Sequence, residues 1–352
     1  MNDAMLYAGT LCSLVKSAIT KIPAELPEEI EIERLIEYAK RHALVSLMAQ
    51  GMLDNKIQVS AGIVKRLLSL IQTNRVFKKL RNSHKDAVRN AFEEAGIKNV
   101  ILKGEDIDKF YPEPELRESC DCDIYVGEKY MKKSREIMKN LGFEMLEEGL
   151  EHDEYEIDGL VIFEIHNKFA HEEFDEAKEC KKILKRLETK AGKKYSLYMT
   201  DTDIYFYMVC HTAKHLKQGG IGLKNLVDLW VLRNKIDTKQ AEEYIKKAKL
   251  NETYDELLAL SDYWLEGKEL PEKYRQDAVE IAQGTWRGTI EKNKENMKKR
   301  TFKVKLKNLV KMYNFPRYLL EDRYPILKKA PFLLPICRLH RAITSKNKNI
   351  MK

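Results

Sequence analysis

The sequence predicts an α+β fold: a small mixed β-sheet core flanked by N- and C-terminal helical regions. Three observations carry that expectation. Apolar residues recur at helical spacing through residues 1–96, short β-branched runs broken by glycine and proline fill 97–166, and helical spacing returns from about Phe174. The expected layout is a helical region at 1–96, an α/β core at 97–170, a helical domain at 171–285 and a basic tail at 286–352, which is expected to dock on the rest.

Taken in order, Met5–Ile19 has helical spacing, and Pro27 opens a second helix through Ile30, Ile32, Leu35, Ile36 and Ala39. Leu44–Leu53 continues the pattern to a polar break at Asp54-Asn55. Ser60 is the expected N-cap of a long helix to about Ala95, with Ile63, Leu67, Leu68, Ile71 and Val76 as its buried stripe and Gly96 as its stop. A buried strand follows over Ile97–Leu102. Lys103-Gly104 breaks it, and a short helix over Glu105–Tyr111 stops at Pro112 and Pro114. The next strand is Asp121-Cys122-Asp123-Ile124-Tyr125-Val126; a helix over Glu128–Leu141 ends at Gly142, and Phe143–Leu146 and Glu154–Ile157 read as strands. Asp158-Gly159 signals a hairpin into Leu160–His166, an almost wholly apolar and therefore central strand that nonetheless carries Glu164. Thr200-Asp201 caps a helix through Ile204, Met208 and His211 to Leu216. Further helices are expected at Leu223–Asn234, Lys239–Ala248, Tyr254–Leu265 and Glu272–Ala282, before a break at Gly284–Gly288. In the tail, Pro316, Pro325, Pro331 and Pro335 confine any long helix to the first part.

The charge is uneven. From Arg287 onward there are 19 Lys/Arg against 4 Asp/Glu, a net +15, so the preceding residues sum to −7. A basic tail on an acidic body fits either an anionic partner such as nucleic acid or docking on the body itself. No apolar run approaches the roughly 18 residues of a membrane span. Met1-Asn2-Asp3 lacks the basic start of a secretory signal. Six scattered cysteines match no zinc pattern, so reduced thiols in a cytoplasmic protein are expected.

The chemistry centres on Ile97–Val126. Strand side chains alternate faces, so Asp121 and Asp123 point the same way. Two adjacent carboxylates repel unless a cation lies between them. With Glu164 on a neighbouring strand they could hold two Mg²⁺ ions, the arrangement of two-metal transfer. The Lys103-Gly104 turn could seat phosphate on backbone N–H groups. Lys103 and Arg117 are candidate triphosphate contacts, with an ion pair to a neighbouring carboxylate as the plainer alternative. His211, Lys214 and His215 share one helix face, as do Lys224 and Asp228, for which a helix salt bridge is the simple reading. Trp230 reads as core, and Cys120 and Cys122 alternate away from Asp121 into packing.

A strand, a glycine turn, a helix, Asp-x-Asp and a later carboxylate strand together resemble the polymerase-β-type nucleotidyltransferase arrangement. More narrowly, Leu102-Lys103-Gly104, Arg117-x-x-x-Asp121-x-Asp123, Glu164-Ile165-His166, His211-x-x-Lys214-His215 and Leu223-Lys224-x-x-Val227-Asp228 look like a bacterial family of uncharacterised nucleotidyltransferases. The likeness extends to Tyr324-Pro325 and Leu333-Leu334-Pro335, over roughly residues 30–340. The resemblance implies Mg²⁺-dependent (or Mn²⁺-dependent) transfer of a nucleoside monophosphate from an NTP such as ATP to a hydroxyl acceptor, with pyrophosphate leaving. It implies that Asp121, Asp123 and Glu164 are catalytic metal ligands. It also implies nucleotide contacts from Lys103, Gly104, Arg117, His211, Lys214, His215, Lys224 and Asp228. The acceptor, whether small molecule, glycan, protein or RNA, is left open. Glu105 stands where the superfamily usually has Ser or Gly, so a degenerate module that binds nucleotide or partner without turnover remains an alternative.

Overall fold

The computed structural model describes residues 3–119, 121–149, 151–170, 176–218, 220–283, 324–328, 330–338 and 340. The chain divides into two compact units, Met1–Glu291 and Lys292–Lys352. The first unit is an α+β body with a mixed seven-stranded sheet.

Its helical start follows the sequence closely. Helices α1 (Asp3–Thr20) and α3 (Val45–Asp54) pack on each other, and α2 (Ile32–Arg41) lies between them in sequence. The second helix was expected from Pro27, but it begins only at Ile32, after a turn that closes Ile30 N–H on Pro27 O at 3.1 Å. Gly51 permits the α1–α3 contact: a Cβ there would come within 2.2 Å of Leu14 O. Ser60 caps α4 (Ala61–Glu94) by accepting from Ile63 N–H, and Gly96 turns the chain at φ +70°.

The expected α4 stripe holds only in part. Leu67 and Ile71 are buried, while Leu68 and Val76 are more than half exposed. The buried face continues instead through Lys78, Arg81, Val88, Arg89 and Phe92. The basic heads are accommodated because each finds oxygen. Lys78 Nζ lies 2.8 Å from Asp108 Oδ2 and donates to Arg117 O and Pro114 O. Arg81 donates to Ser119 O at 2.7 Å, and Arg89 to Asn99 Oδ1 and Leu197 O. A search for apolar residues overlooks such a face.

The sheet order is β3-β4-β5-β2-β1-β7-β6. Strand β1 (Asn99–Ile101) is shorter than expected, and the helix after it, α5 (Glu105–Asp108), stops short of Tyr111. Strand β2 (Asp121–Tyr125) leads through a 3-10 turn at Glu128–Tyr130 into α6 (Met131–Asn140). Strands β3 (Glu144–Glu148), β4 (His152–Ile157) and β5 (Val161–His166) form an antiparallel meander. Asp158 and Gly159 both have positive φ, as the hairpin signal requires. β5 then lies parallel to β2, in the interior of the sheet.

After the short helix α7 (Ala177–Cys180) come two strands where helix alone was expected: β6 (Glu188–Thr189) and β7 (Ser196–Tyr198). β7 pairs parallel with β1, and the Glu93 carboxylate, at the end of α4, accepts from the N–H groups of Lys194, Tyr195 and Ser196. The sheet therefore runs past the expected core boundary at residue 170. Helices α8 (Asp201–Gln218), α9 (Leu223–Arg233), α10 (Lys239–Lys247), α11 (Asn251–Glu266) and α12 (Arg275–Ala282) complete the unit. Thr200 Oγ1 accepts from Asp203 N–H, as its place at the start of α8 demands. Leu11 and Leu14 of α1, Phe206 of α8, Leu229 of α9 and Leu257 of α11 share one apolar core, and Trp230 lies in it.

In the second unit, Pro325 and Pro331 open 3-10 turns. Leu327 and Cys337 are buried there, whereas Phe332 and Ile336 are exposed. The first part of the basic tail, through residue 323, lies outside the described residues, as does the break at 284–288. Among the described residues no helix is long and apolar enough to cross a membrane, and Cys12, Cys122, Cys180, Cys210 and Cys337 are free thiols.

Candidate active site

The ladder between β2 and β5 builds the site. Parallel pairing sets Asp123 beside Glu164 and Tyr125 beside His166, so their side chains share a face with Asp121. Antiparallel pairing of β4 with β5 adds His152 opposite His166 and Glu154 opposite Glu164. Cys122, Ile124, Phe163 and Ile165 fill the opposite, apolar face. Carboxylate oxygens of Asp121, Asp123 and Glu164 lie within 4.8 Å of one another.

The Lys103 ammonium lies at the centre of this cluster, 3.2 Å from both Asp121 Oδ2 and Asp123 Oδ2. Burial alone would lower its pKa; the charges of Asp123, Asp121 and Glu164 outweigh that and raise it well above the usual lysine value. Lys103 is thus paired with the carboxylates, the simpler of its two readings. His166 Nε2 is 2.9 Å from Asp123 Oδ1 and 3.2 Å from Glu164 Oε2, and His152 Nε2 is 3.8 Å from Glu164 Oε2. Burial opposes the Glu164 charge, but His166, His152 and Lys103 together hold its pKa down at about 2. Next to it, burial and the carboxylates of Glu164, Glu147 and Asp121 push the Glu154 carboxyl up. The field at this face therefore remains negative beyond the reach of Lys103. Asp123 is only 2% exposed, and the Lys103 ammonium at 3.2 Å is the one cation on its buried Oδ2 among the described residues. A buried carboxylate oxygen among other carboxylates suits a hard oxygen-seeking cation.

Arg117 makes the ion pairs of its plainer reading, with Asp108 and with the distant Asp228. It is buried, and its fork grips Asp228 through Nε at 2.7 Å and a terminal nitrogen at 2.8 Å. The other terminal nitrogen donates to Gly104 O and Asp108 Oδ1, both at 3.0 Å. Tyr111 and Lys224 also donate to Asp228. Burial opposes the Asp228 charge, but Arg117, then Lys224 and Tyr111, hold its carboxyl well below the usual range. Lys224 and Asp228 thus form the expected helix salt bridge, and with Arg117 they make one inward-facing network. It ties the Gly104 turn to α9, because a planar fork meets a buried carboxylate bidentately more readily than it stays solvated. Gly104 has φ +78°, a value that glycine tolerates, and its carbonyl points at Arg117.

On α8, Tyr207 lies near the cluster; burial, then the Asp123 charge, raises its pKa. An aromatic series leads from Tyr125 through Phe169 to Tyr207 and then to His211, which stacks on Tyr207 and meets His215 edge-on at 4.4 Å. His211 and His215 thus continue an aromatic line that starts at Tyr125, two residues beyond Asp123 on β2. His152 and the buried cations of α4 escaped notice in the sequence. The hairpin held a signal for the histidine: His152 and His166 stand equally far from Gly159, so antiparallel pairing must oppose them.

The family model described as uncharacterised nucleotidyltransferase matches residues 28–266. The chain belongs to this family. The match spans the whole sheet, the Gly104 turn and helices α8 and α9, so every residue of the cluster lies inside the nucleotidyltransferase region. It ends before the tail motifs at Tyr324-Pro325 and Leu333-Leu334-Pro335. No curated protein and no solved structure matches the chain.

Proposed function

We propose that this nucleotidyltransferase moves a nucleoside monophosphate from an NTP to a hydroxyl acceptor and releases pyrophosphate. The observation that carries the proposal is the convergence of Asp121, Asp123 and Glu164, whose three carboxylates outnumber the single Lys103 ammonium among them. These three residues would hold Mg²⁺, with Mn²⁺ as a substitute. Bound there, the metal would supply charge neutralisation and a clamp on the reacting phosphate oxygens. The chain's own part is positional and electrostatic. His166 fixes the orientation of Asp123 and Glu164. Glu164, held ionised, would complete the oxygen donors of the metal and can accept a hydrogen bond from the attacking hydroxyl. Lys103 holds the carboxylates together before substrate arrives and can then turn to the triphosphate, neutralising charge as pyrophosphate departs. Gly104 shapes the turn, and Arg117, Lys224 and Asp228 position that turn from behind. His211, Lys214 and His215 extend the cleft along α8 toward the nucleotide. Incubation with each labelled NTP and Mg²⁺ tests this reading: pyrophosphate release with a labelled product is expected, and its absence for every NTP would refute it.

One observation favours a second reading, a module that binds without turnover. The Lys103 ammonium already bridges the two aspartates and so occupies the cation position between them. If it stays there, nucleotide binds with no Mg²⁺ requirement, which equilibrium binding with and without chelator distinguishes.

A further inference from the structure

We infer that His152, His166 and Glu164 form a second metal site, for a divalent transition ion rather than Mg²⁺, beside the all-oxygen triad and sharing Glu164 with it. The nearest donor atoms of these three residues lie within 4.8 Å of one another. A tetrahedral ion with bonds of about 2.0–2.1 Å holds its donors roughly 3.3 Å apart. His166 Nε2 and Glu164 Oε2 are 3.2 Å apart, and His152 Nε2 and Glu164 Oε2 are 3.8 Å apart, so small side-chain movements close the set.

The hydrogen of His166 Nε2 is shared in this cluster. One imidazole nitrogen carries at most one hydrogen, yet His166 Nε2 lies within 3.2 Å of oxygens on both Asp123 and Glu164. A tetrahedral ion takes up to four donors, with His166 Nε2 deprotonated to bind it. Position supports the inference as well. The β4–β5 register places both imidazoles on one face by direct opposition, with Glu164 two residues away. The His152 side chain is 37% exposed, so the cluster has an entry path from solvent. Two histidines and one glutamate are a donor set that zinc uses when it keeps an open coordination position. Imidazole suits zinc, iron, copper and nickel, whereas the oxygen-only triad suits magnesium. The strand face therefore carries two sites of different softness joined by one carboxylate. The inference stands apart from the transfer reaction, because the donors bind an ion whether or not an NTP is turned over.

The test uses the full chain, stripped of metal and titrated with Co²⁺ as a visible probe. One equivalent should bind with ligand-field bands of low coordination number. Zn²⁺ should displace it, and a large excess of Mg²⁺ should not. His152→Gln and His166→Gln should each weaken Co²⁺ binding at least about tenfold, with the fold checked by circular dichroism, while Asp121→Asn keeps the bands. Should His166→Gln, the less exposed of the two, fail to fold, His152→Gln decides. No stoichiometric binding by the parent chain overturns the inference. So do affinity and bands unchanged in the histidine variants, since the ion then sits elsewhere, for instance at the His211–His215 pair. Pyrophosphate release assayed with Mg²⁺ on the same preparations reads the transfer reaction separately: its absence with the cobalt bands intact leaves this site standing.

Discussion

Asp123 meets three kinds of partner at once: an imidazole on one oxygen, an ammonium on the other, and two further carboxylates on its flanks. Replacing it with Asn keeps the shape and removes a charge. Asp123→Asn should lower the rate of pyrophosphate release at least about 10²-fold, the scale on which lost transition-state stabilisers act, while the circular dichroism spectrum stays native; undiminished turnover would exclude the metal mechanism. Lys103→Met should act in the opposite sense on ion binding. Without the ammonium, Asp121 and Asp123 repel, so the metal-free protein should lose roughly 3 kcal/mol, and Mg²⁺ should raise its melting temperature more than it raises that of the parent. An equal rise in both would mean that Lys103 does not compete for the cation position. The carboxylate triad was legible in the sequence because strand periodicity is strict: residues two apart must share a face. Arg117 was not, because its partner Asp228 lies 111 residues away. Nothing local distinguishes an arginine that reaches substrate from one that folds back on a distant helix.

Elements were legible where they carry their own signals. Ser60, Gly96, Asp158-Gly159 and Thr200 each marked a boundary that the structure keeps, because each acts through a local backbone conformation or a hydrogen bond three residues away. The strands β6 and β7 have two and three residues and no such marks. They depend on pairing with β1 and on the Glu93 carboxylate at the end of α4. Burial opposes the Glu93 charge, but the amides of Lys194, Tyr195 and Ser196 hold its pKa down at about 2. A depressed carboxyl adds stability above its unfolded pKa, about 4.3 for glutamate, and loses it as pH falls through the folded value. The stability advantage of the parent over Glu93→Gln should therefore be level near neutrality and shrink between about pH 4 and 2. A constant difference in denaturant midpoint across that range would show that the carboxylate charge contributes nothing.

Across the whole molecule, charge separates a +15 segment from a −7 remainder. Attraction between the two is screened beyond about 8 Å at physiological salt, so durable docking needs apolar contact as well. Phe302, Leu306 and Leu309 lie among the lysines and could provide it. We expect trypsin at a low enzyme ratio to spare the chain beyond Lys292 at high salt as at low. Immediate clipping there, with the remainder intact, would favour binding of a polyanion instead, visible as an affinity that falls steeply with salt.

The Arg117 fork joins the carbonyl of Gly104 to Asp228, and so fastens the turn beside the carboxylates to the middle of α9. Two segments fastened by one buried ion pair open together, since releasing either strands a charge. Amide hydrogens in 104–108 and 224–231 should consequently exchange with solvent deuterium in concert, and nucleotide held at the turn should slow exchange in α9, more than a hundred residues along the chain. Arg117→Lys, which keeps the charge and loses the fork, should let the two segments exchange independently.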